Sequence, residues 1–151
     1  MAITSKQVKE LREKTGVSVM ECKKALEAAG GNMTEALKVL SARATASVGK
    51  KADRTLGAGT VASYIHTTGQ VGAMIVLSSE TDFVSKNEEF GKLAREIAMH
   101  AAAMKPSDIT ELLSQNYIKD ESKTIADLVS QATQKFGERI EVSDLSVFSV
   151  K

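Results

Sequence analysis

The run Val71-Gly72-Ala73-Met74-Ile75-Val76-Leu77 carries apolar side chains on both parities, Val71, Ala73, Ile75 and Leu77 on one and Met74 and Val76 on the other. Successive residues of a strand point to opposite faces, so a strand with one buried face alternates apolar and polar side chains. This run does not alternate. It must be central in its sheet or covered on both faces. Thr60 to His66 is a second strand-like run, and Thr67-Thr68-Gly69-Gln70 between the two reads as a four-residue hairpin loop. Near the end of the chain, Arg139 to Val150 switches its apolar set from even positions (Ile140, Val142) to odd ones (Leu145, Val147). That switch implies a bulge or break at Ser143-Asp144. Three antiparallel strands are the expected sheet.

Helical patterns fill most of the rest. Directly after the apolar run comes Ser79-Glu80-Thr81-Asp82-Phe83-Val84-Ser85-Lys86-Asn87. Ser85 with Glu88 fits a capping box, so a helix is expected to begin near Ser85, with Phe90, Leu93, Ile97, Ala101 and Met104 as its apolar stripe. Pro106 ends it. Ile109, Leu112 and Leu113 suggest a short helix, and Ile125, Leu128, Val129, Ala132 and Phe136 a longer one stopped by Gly137. The body, residues 59–151, reads as α+β, with helices layered on a small sheet. Phe83 then sits in the turn between strand and helix. An aromatic there either tucks into its own core or is displayed to a partner.

The first 45 residues read as three short helices. Thr4 with Gln7, Ser18 with Glu21, and Asn32 with Glu35 supply three N-terminal signals. Gly16 and the pair Gly30-Gly31 separate the helices. Cys22, Ala25, Leu26 and Ala29 share one face, so Cys22 is expected to be a small buried hydrophobe. Met20 lies roughly 160–200° around the helix from that stripe and should project outward. Residues 46–58 are polar and basic and read as a linker.

With 151 residues the chain suits one domain, or a small module attached to a medium one. A single cysteine, no signal-like opening and no long apolar segment point to a cytoplasmic protein without a membrane span. The net charge of +1 hides an asymmetry: residues 1–54 hold eleven Lys/Arg against six Asp/Glu. A basic head could meet nucleic acid or an acidic protein surface, or be a solvated face. The aromatic interleaving wanted for single-strand binding is absent, and no direct nucleic-acid contact is expected. His100 falls on the apolar face of its helix and is expected in the core with one nitrogen satisfied, whereas His66, entering the hairpin loop, should be exposed. Neither has a second ligand at metal spacing, and no nucleophile or phosphate-loop signature occurs. The expectation is a protein that is not an enzyme and needs no cofactor or metal.

Two sets of residues resemble one family. Val8-Lys9-Glu10-Leu11-Arg12-Glu13-Lys14-Thr15-Gly16 with Met20-Glu21-Cys22-Lys23-Lys24-Ala25-Leu26 is similar to the N-terminal module of elongation factor Ts. Tyr64-Ile65-His66, Val71 to Leu77, Glu80-Thr81-Asp82-Phe83-Val84-Ser85-Lys86-Asn87, and Ile97 to Ala102 with Lys105-Pro106 resemble its core in order and spacing. The resemblance implies a ubiquitin-associated-like fold for the head and nucleotide exchange on elongation factor Tu as the function. It implies that Asp82 and Phe83, framed by Thr81 and Val84, push in near the partner's Mg²⁺ site. It also implies that Arg12, Val19 and Met20 of the head grip the partner, and that His66 touches another of its domains. Longer members carry two related half-cores. This chain has one sheet's worth of strands, and its stretch between Lys105 and Lys123 is shorter than the family pattern. A half-core leaves one sheet face uncovered, so a homodimer pairing two sheets is expected.

Overall fold

A computed structural model describes residues 2–150. The three predicted head helices are α1 (Ser5–Thr15), α2 (Val19–Ala28) and α3 (Met33–Lys50). Each starts where the sequence signals it. Thr4 Oγ1 accepts the Gln7 N–H at 3.2 Å while Gln7 Oε1 accepts the Thr4 N–H at 3.0 Å, a complete capping box. Ser18 accepts from the Glu21 amide at 3.3 Å and Asn32 from the Glu35 amide at 3.0 Å. Gly16 ends α1 in the left-handed region (φ 70°), which favours glycine there, and the Lys135 side chain lies close against it. The head packs around Leu11, Val17, Cys22, Ala25, Leu26 and Leu40. Cys22 is fully buried, as expected, and burial pushes its thiol pKa up.

Helix α3 runs to Lys50, five residues into the stretch predicted as linker, because Ala42, Ala44 and Ala46 favour helix. Beyond it, Arg54 is tied to the body. Its guanidinium reaches a Glu80 carboxylate oxygen and the Gly137 carbonyl, each at 3.4 Å, and its own carbonyl accepts from Arg139 at 2.7 Å.

Strands β1 (Ala58–Ile65) and β2 (Val71–Ser79) form the predicted hairpin, closed where the His66 N–H meets the Val71 carbonyl at 2.9 Å. A one-turn helix, α4 (Asp82–Ser85), follows, then α5 (Glu88–Met104) and α6 (Ile109–Ser114). A short hairpin, β3 (Asn116–Tyr117) with β4 (Asp120–Thr124), leads into α7 (Ile125–Phe136) and the last strand β5 (Glu141–Ser149). The main sheet is antiparallel in the order β1-β2-β5, so the doubly apolar strand is the central one. The predicted bulge is present: Val76 pairs with Asp144 and Leu77 with Val142, leaving Ser143 extra, its hydroxyl 2.6 Å from that of Ser78. The fold is α+β: a three-helix head and a three-stranded sheet with helices.

Helix α5 covers one sheet face, burying Phe90, Ala94, Ile97, Ala98 and Ala101 against Ala62, Ala73, Ile75 and Leu77. Helix α3 packs along α7, which joins head to body. Two helix expectations need correction. The helix after β2 does not begin at Ser85; Asn87 caps α5 by accepting from the Glu89 amide at 2.9 Å. Val84 dives into the core and draws Ser85 down with it, so the Ser85 hydroxyl donates to the Asp82 carbonyl inside α4 instead of capping. Met104 is exposed rather than part of the buried stripe, because α5 ends there, with Lys105 in the left-handed region.

His100 is in the core, with both ring nitrogens satisfied where one was expected. Nδ1 accepts the Ile118 N–H at 3.2 Å, which leaves Nε2–H to donate to Gln115 Oε1 at 3.0 Å. It thereby holds the β3–β4 hairpin to α5. Burial lowers its pKa, with the Gln115 bond opposing. Among the described residues, no helix is long and apolar enough to cross a membrane, and no three His, Cys, Asp or Glu side chains converge as a metal site.

Candidate functional site

The turn after β2 combines a fixed backbone with a displayed side chain. Val84 is buried in the body core and Phe90, seven residues after Phe83, is fully buried, whereas Phe83 is 90% exposed. Asp82 and Thr81 are exposed beside it. A four-residue helix cannot hold itself together, since its first turn fixes several torsions for one or two hydrogen bonds. Thr81 occupies the N-cap position but makes no side-chain cap bond. The turn is held from outside. Glu138, 57 residues further on, accepts the Thr81 N–H at 3.0 Å and the Glu80 N–H at 3.1 Å through Oε1, and the Thr81 hydroxyl at 2.7 Å through Oε2. Ser79 adds a bond from its hydroxyl to the Thr81 carbonyl at 3.0 Å. Single exposed apolar residues are common on protein surfaces. Phe83 differs because the backbone that carries it is braced while its ring lies in solvent.

In the head, Val19 and Met20 open α2 and are both exposed, Met20 at 67%. Ser18 holds that helix start, and Val17 and Cys22 on either side are buried. A groove of about 510 Å³ between α1 and α2 has Val8 and Val19 as apolar lining and Lys9, Arg12 and Lys23 as cationic neighbours. Arg12 and Val19 therefore border one concavity, with Met20 beside it. Such a groove suits an apolar side chain from an acidic protein surface. Within the head, Glu21 pairs with Arg43 at 3.2 Å and Glu35 with Lys38 at 3.4 Å.

His66 is exposed where β1 enters the hairpin loop, its Nδ1 3.2 Å from the Tyr64 hydroxyl. In the hairpin register Ala58 faces Ser79 and Ile65 faces Gly72, so His66 and the Phe83 turn lie at opposite ends of one ladder, roughly 25 Å apart. The structure does not bring the two together. The sheet face away from α5 carries a further apolar patch. Val61, Ile65, Met74 and Phe148 are all exposed there, Phe148 at 71%, around Gly72. Central strand β2 is thus covered by α5 on one face and left open on the other.

These features define a class: a two-part α+β protein that presents apolar side chains on braced mounts at separate points of its surface. The family model described as "Elongation factor TS" matches residues 80–151. The Elongation factor Ts of Leptospira biflexa serovar Patoc is 36% identical over 195 aligned positions, covering 99% of this chain and 98% of that protein. That of Thermodesulfovibrio yellowstonii is 38% identical over 194 positions, covering 99% and 97%. That of Trichlorobacter lovleyi is 38% identical over 149 residues, 99% of this chain but 48% of the relative. The chain belongs to the elongation factor Ts family, a family of translation elongation factors. Its relation to its relatives is not uniform in length. The 195 positions aligned with the Leptospira protein exceed the 151 residues here by 44, so at least that many fall opposite gaps. Against the Trichlorobacter protein the chain matches about half of a larger molecule.

Sequence reasoning marked Thr81, Asp82, Phe83 and Val84 but missed Glu138. Its signal was faint: one acidic residue just beyond the glycine that ends α7. Nothing in spacing or periodicity links it to a turn 57 residues earlier.

Proposed function

We propose that this protein is a guanine-nucleotide exchange factor that binds the GDP form of elongation factor Tu in the cytoplasm and speeds GDP release without itself catalysing a covalent step. The observation that carries the reading is Phe83, a ring in solvent on a backbone braced from the far end of the chain. Asp82 and Phe83 enter the partner near its Mg²⁺ site with Thr81 beside them; Val84, expected to frame the intrusion from outside, is instead buried in the body core and anchors the turn from below. Bound Mg²⁺ and backbone amides neutralise a diphosphate, so displacing either raises the free energy of bound GDP. Burying one Phe returns about 1.5–3 kcal/mol, enough for a loosening of about tenfold to hundredfold. Coupling is reciprocal, so rebinding of nucleotide expels the factor by the same free energy. The head groove bordered by Arg12 and Val19, with Met20 beside it, holds the GTPase domain, and His66 reaches a second domain of the partner. The measurement is release of labelled GDP from elongation factor Tu. Catalytic amounts of this protein should accelerate it severalfold or more; release at the intrinsic rate would refute the function.

The open sheet face supports a second part of the reading, a homodimer. Val61, Ile65, Met74 and Phe148 form one apolar stripe on it. A relative about twice as long has further chain with which to cover such a face. Here a second copy covers it around a two-fold axis. Light scattering at micromolar concentration should give twice the chain mass, and Met74→Glu should halve it. A monomeric wild type would remove the dimer from the account and leave exchange standing.

A further inference from the structure

Exchange by an inserted side chain needs the side chain to be presented in one geometry before contact. Helix α4 has four residues and no cap bond from Thr81; within the turn, Ser79 on the Thr81 carbonyl, Ser85 on the Asp82 carbonyl and the buried Val84 hold its C-terminal side, while the amides at its start are left to a partner from elsewhere. The Thr81 hydroxyl, which an ordinary N-cap would aim at the helix amides, donates instead to Glu138 at 2.7 Å. The same carboxylate takes the Glu80 and Thr81 amides through its other oxygen. Glu138 is itself held. Glu80 returns the contact one residue along by accepting the Arg139 N–H at 2.5 Å, so the turn and the α7–β5 connection are tied in both directions. Arg54 binds Glu80 and the Gly137 carbonyl, and Arg139 closes the circuit on the Arg54 carbonyl. Three segments, the linker, the turn and the connection between α7 and β5, meet at this one knot.

We propose that Glu138 is the positioning residue of the exchange turn: it fixes Thr81 and so sets the approach of Asp82 and Phe83 to the partner's nucleotide site. The proposal rests on the reading of Phe83 given above. Glu138 lies within the brace and acts through the backbone, so its effect belongs to the rate at saturation and not to the strength of the first encounter. Reach, not charge, is what the geometry uses. A glutamine keeps one oxygen for the two amides and offers its NH₂ group to the Thr81 oxygen. An aspartate keeps the charge but falls about 1.5 Å short, one backbone-sized bond.

The test is labelled-GDP release from elongation factor Tu over a concentration series of the full chain, with the thermal midpoint of each variant measured alongside. Glu138→Ala should lower the plateau about fivefold to twentyfold while the half-saturating concentration shifts less than twofold, since the turn must then be ordered during insertion. Glu138→Asp should fall with it, and Glu138→Gln should recover most of the wild-type plateau. In a Phe83→Ala background, Glu138→Ala should add less than a twofold further loss. If Asp matches wild type and Gln does not, or if Glu138→Ala costs the same factor with and without Phe83, the positioning role is overturned and the Phe83 reading survives. If Phe83→Ala alone retains the full plateau, that reading falls and the proposal with it. Should the alanine variant fail to fold, the Asp and Gln ranking decides the matter by itself.

Discussion

Two helix starts in this protein expose apolar side chains, and they are built in opposite ways. At α2, Ser18 caps the helix from within, Val17 and Cys22 anchor the flanks, and Val19 and Met20 project between them. Every component lies within six residues. At α4 the local cap is absent, and the backbone is held by Glu138 from 57 residues away. Local capping gives a mount that survives on its own but remains a frayed helix end. Long-range bracing couples the mount to the whole body, which suits a side chain that must push into a partner rather than rest on it. In the proposed function the difference separates two tasks: the head holds the partner and the turn intrudes.

That separation can be stressed experimentally, beginning with the largest effect. Phe90→Ala removes a fully buried ring from the body core, where it packs on Phe136, and should destabilise the body by about 3–5 kcal/mol in urea unfolding. Phe83→Ala, only seven residues away, should change stability by less than about 0.5 kcal/mol, because that ring has little to lose. Equal losses would mean that Phe83 packs rather than presents. At the other mount, Met20→Asp should raise the concentration of this protein needed for half-maximal GDP release by about tenfold, or 1.4 kcal/mol, with the plateau unchanged. A lowered plateau there would erase the distinction between the two sites. At that same mount, Ser18→Ala should cost about 1 kcal/mol through loss of the α2 cap. Amide exchange should speed up in the first turn of α2 and not in α4; acceleration in both would show the mounts to be coupled.

The same contrast explains what was legible in the sequence. Caps at Thr4, Ser18 and Asn32 are written within four residues and appear as expected. The bulge at Ser143 followed from a change of parity within one strand, again a local pattern. The Ser85 cap did not hold, since Val84 has a core to enter and Asn87 offers a second acceptor two residues later. Tertiary burial outweighed a local signal. The β3–β4 hairpin was invisible because Asn116-Tyr117 and Asp120 to Thr124 are short and mostly polar, and the hairpin is held by His100 from α5. The knot of Glu80, Glu138, Arg139 and Arg54 was unreadable for the same reason: each bond joins residues far apart in the chain. Candidate surface residues were legible where the display is local, as at Met20 and Phe83, while the residues that aim them were not.

In the proposed mechanism the Phe83 turn sets how fast GDP leaves once the partner is bound. The direct measurement is labelled-GDP release from elongation factor Tu as a function of the concentration of the Phe83→Ala protein. The expected plateau lies about tenfold to hundredfold below wild type at an essentially unchanged half-saturating concentration. A wild-type plateau reached at higher concentration would contradict it, because Phe83 would then be holding the partner instead of opening it.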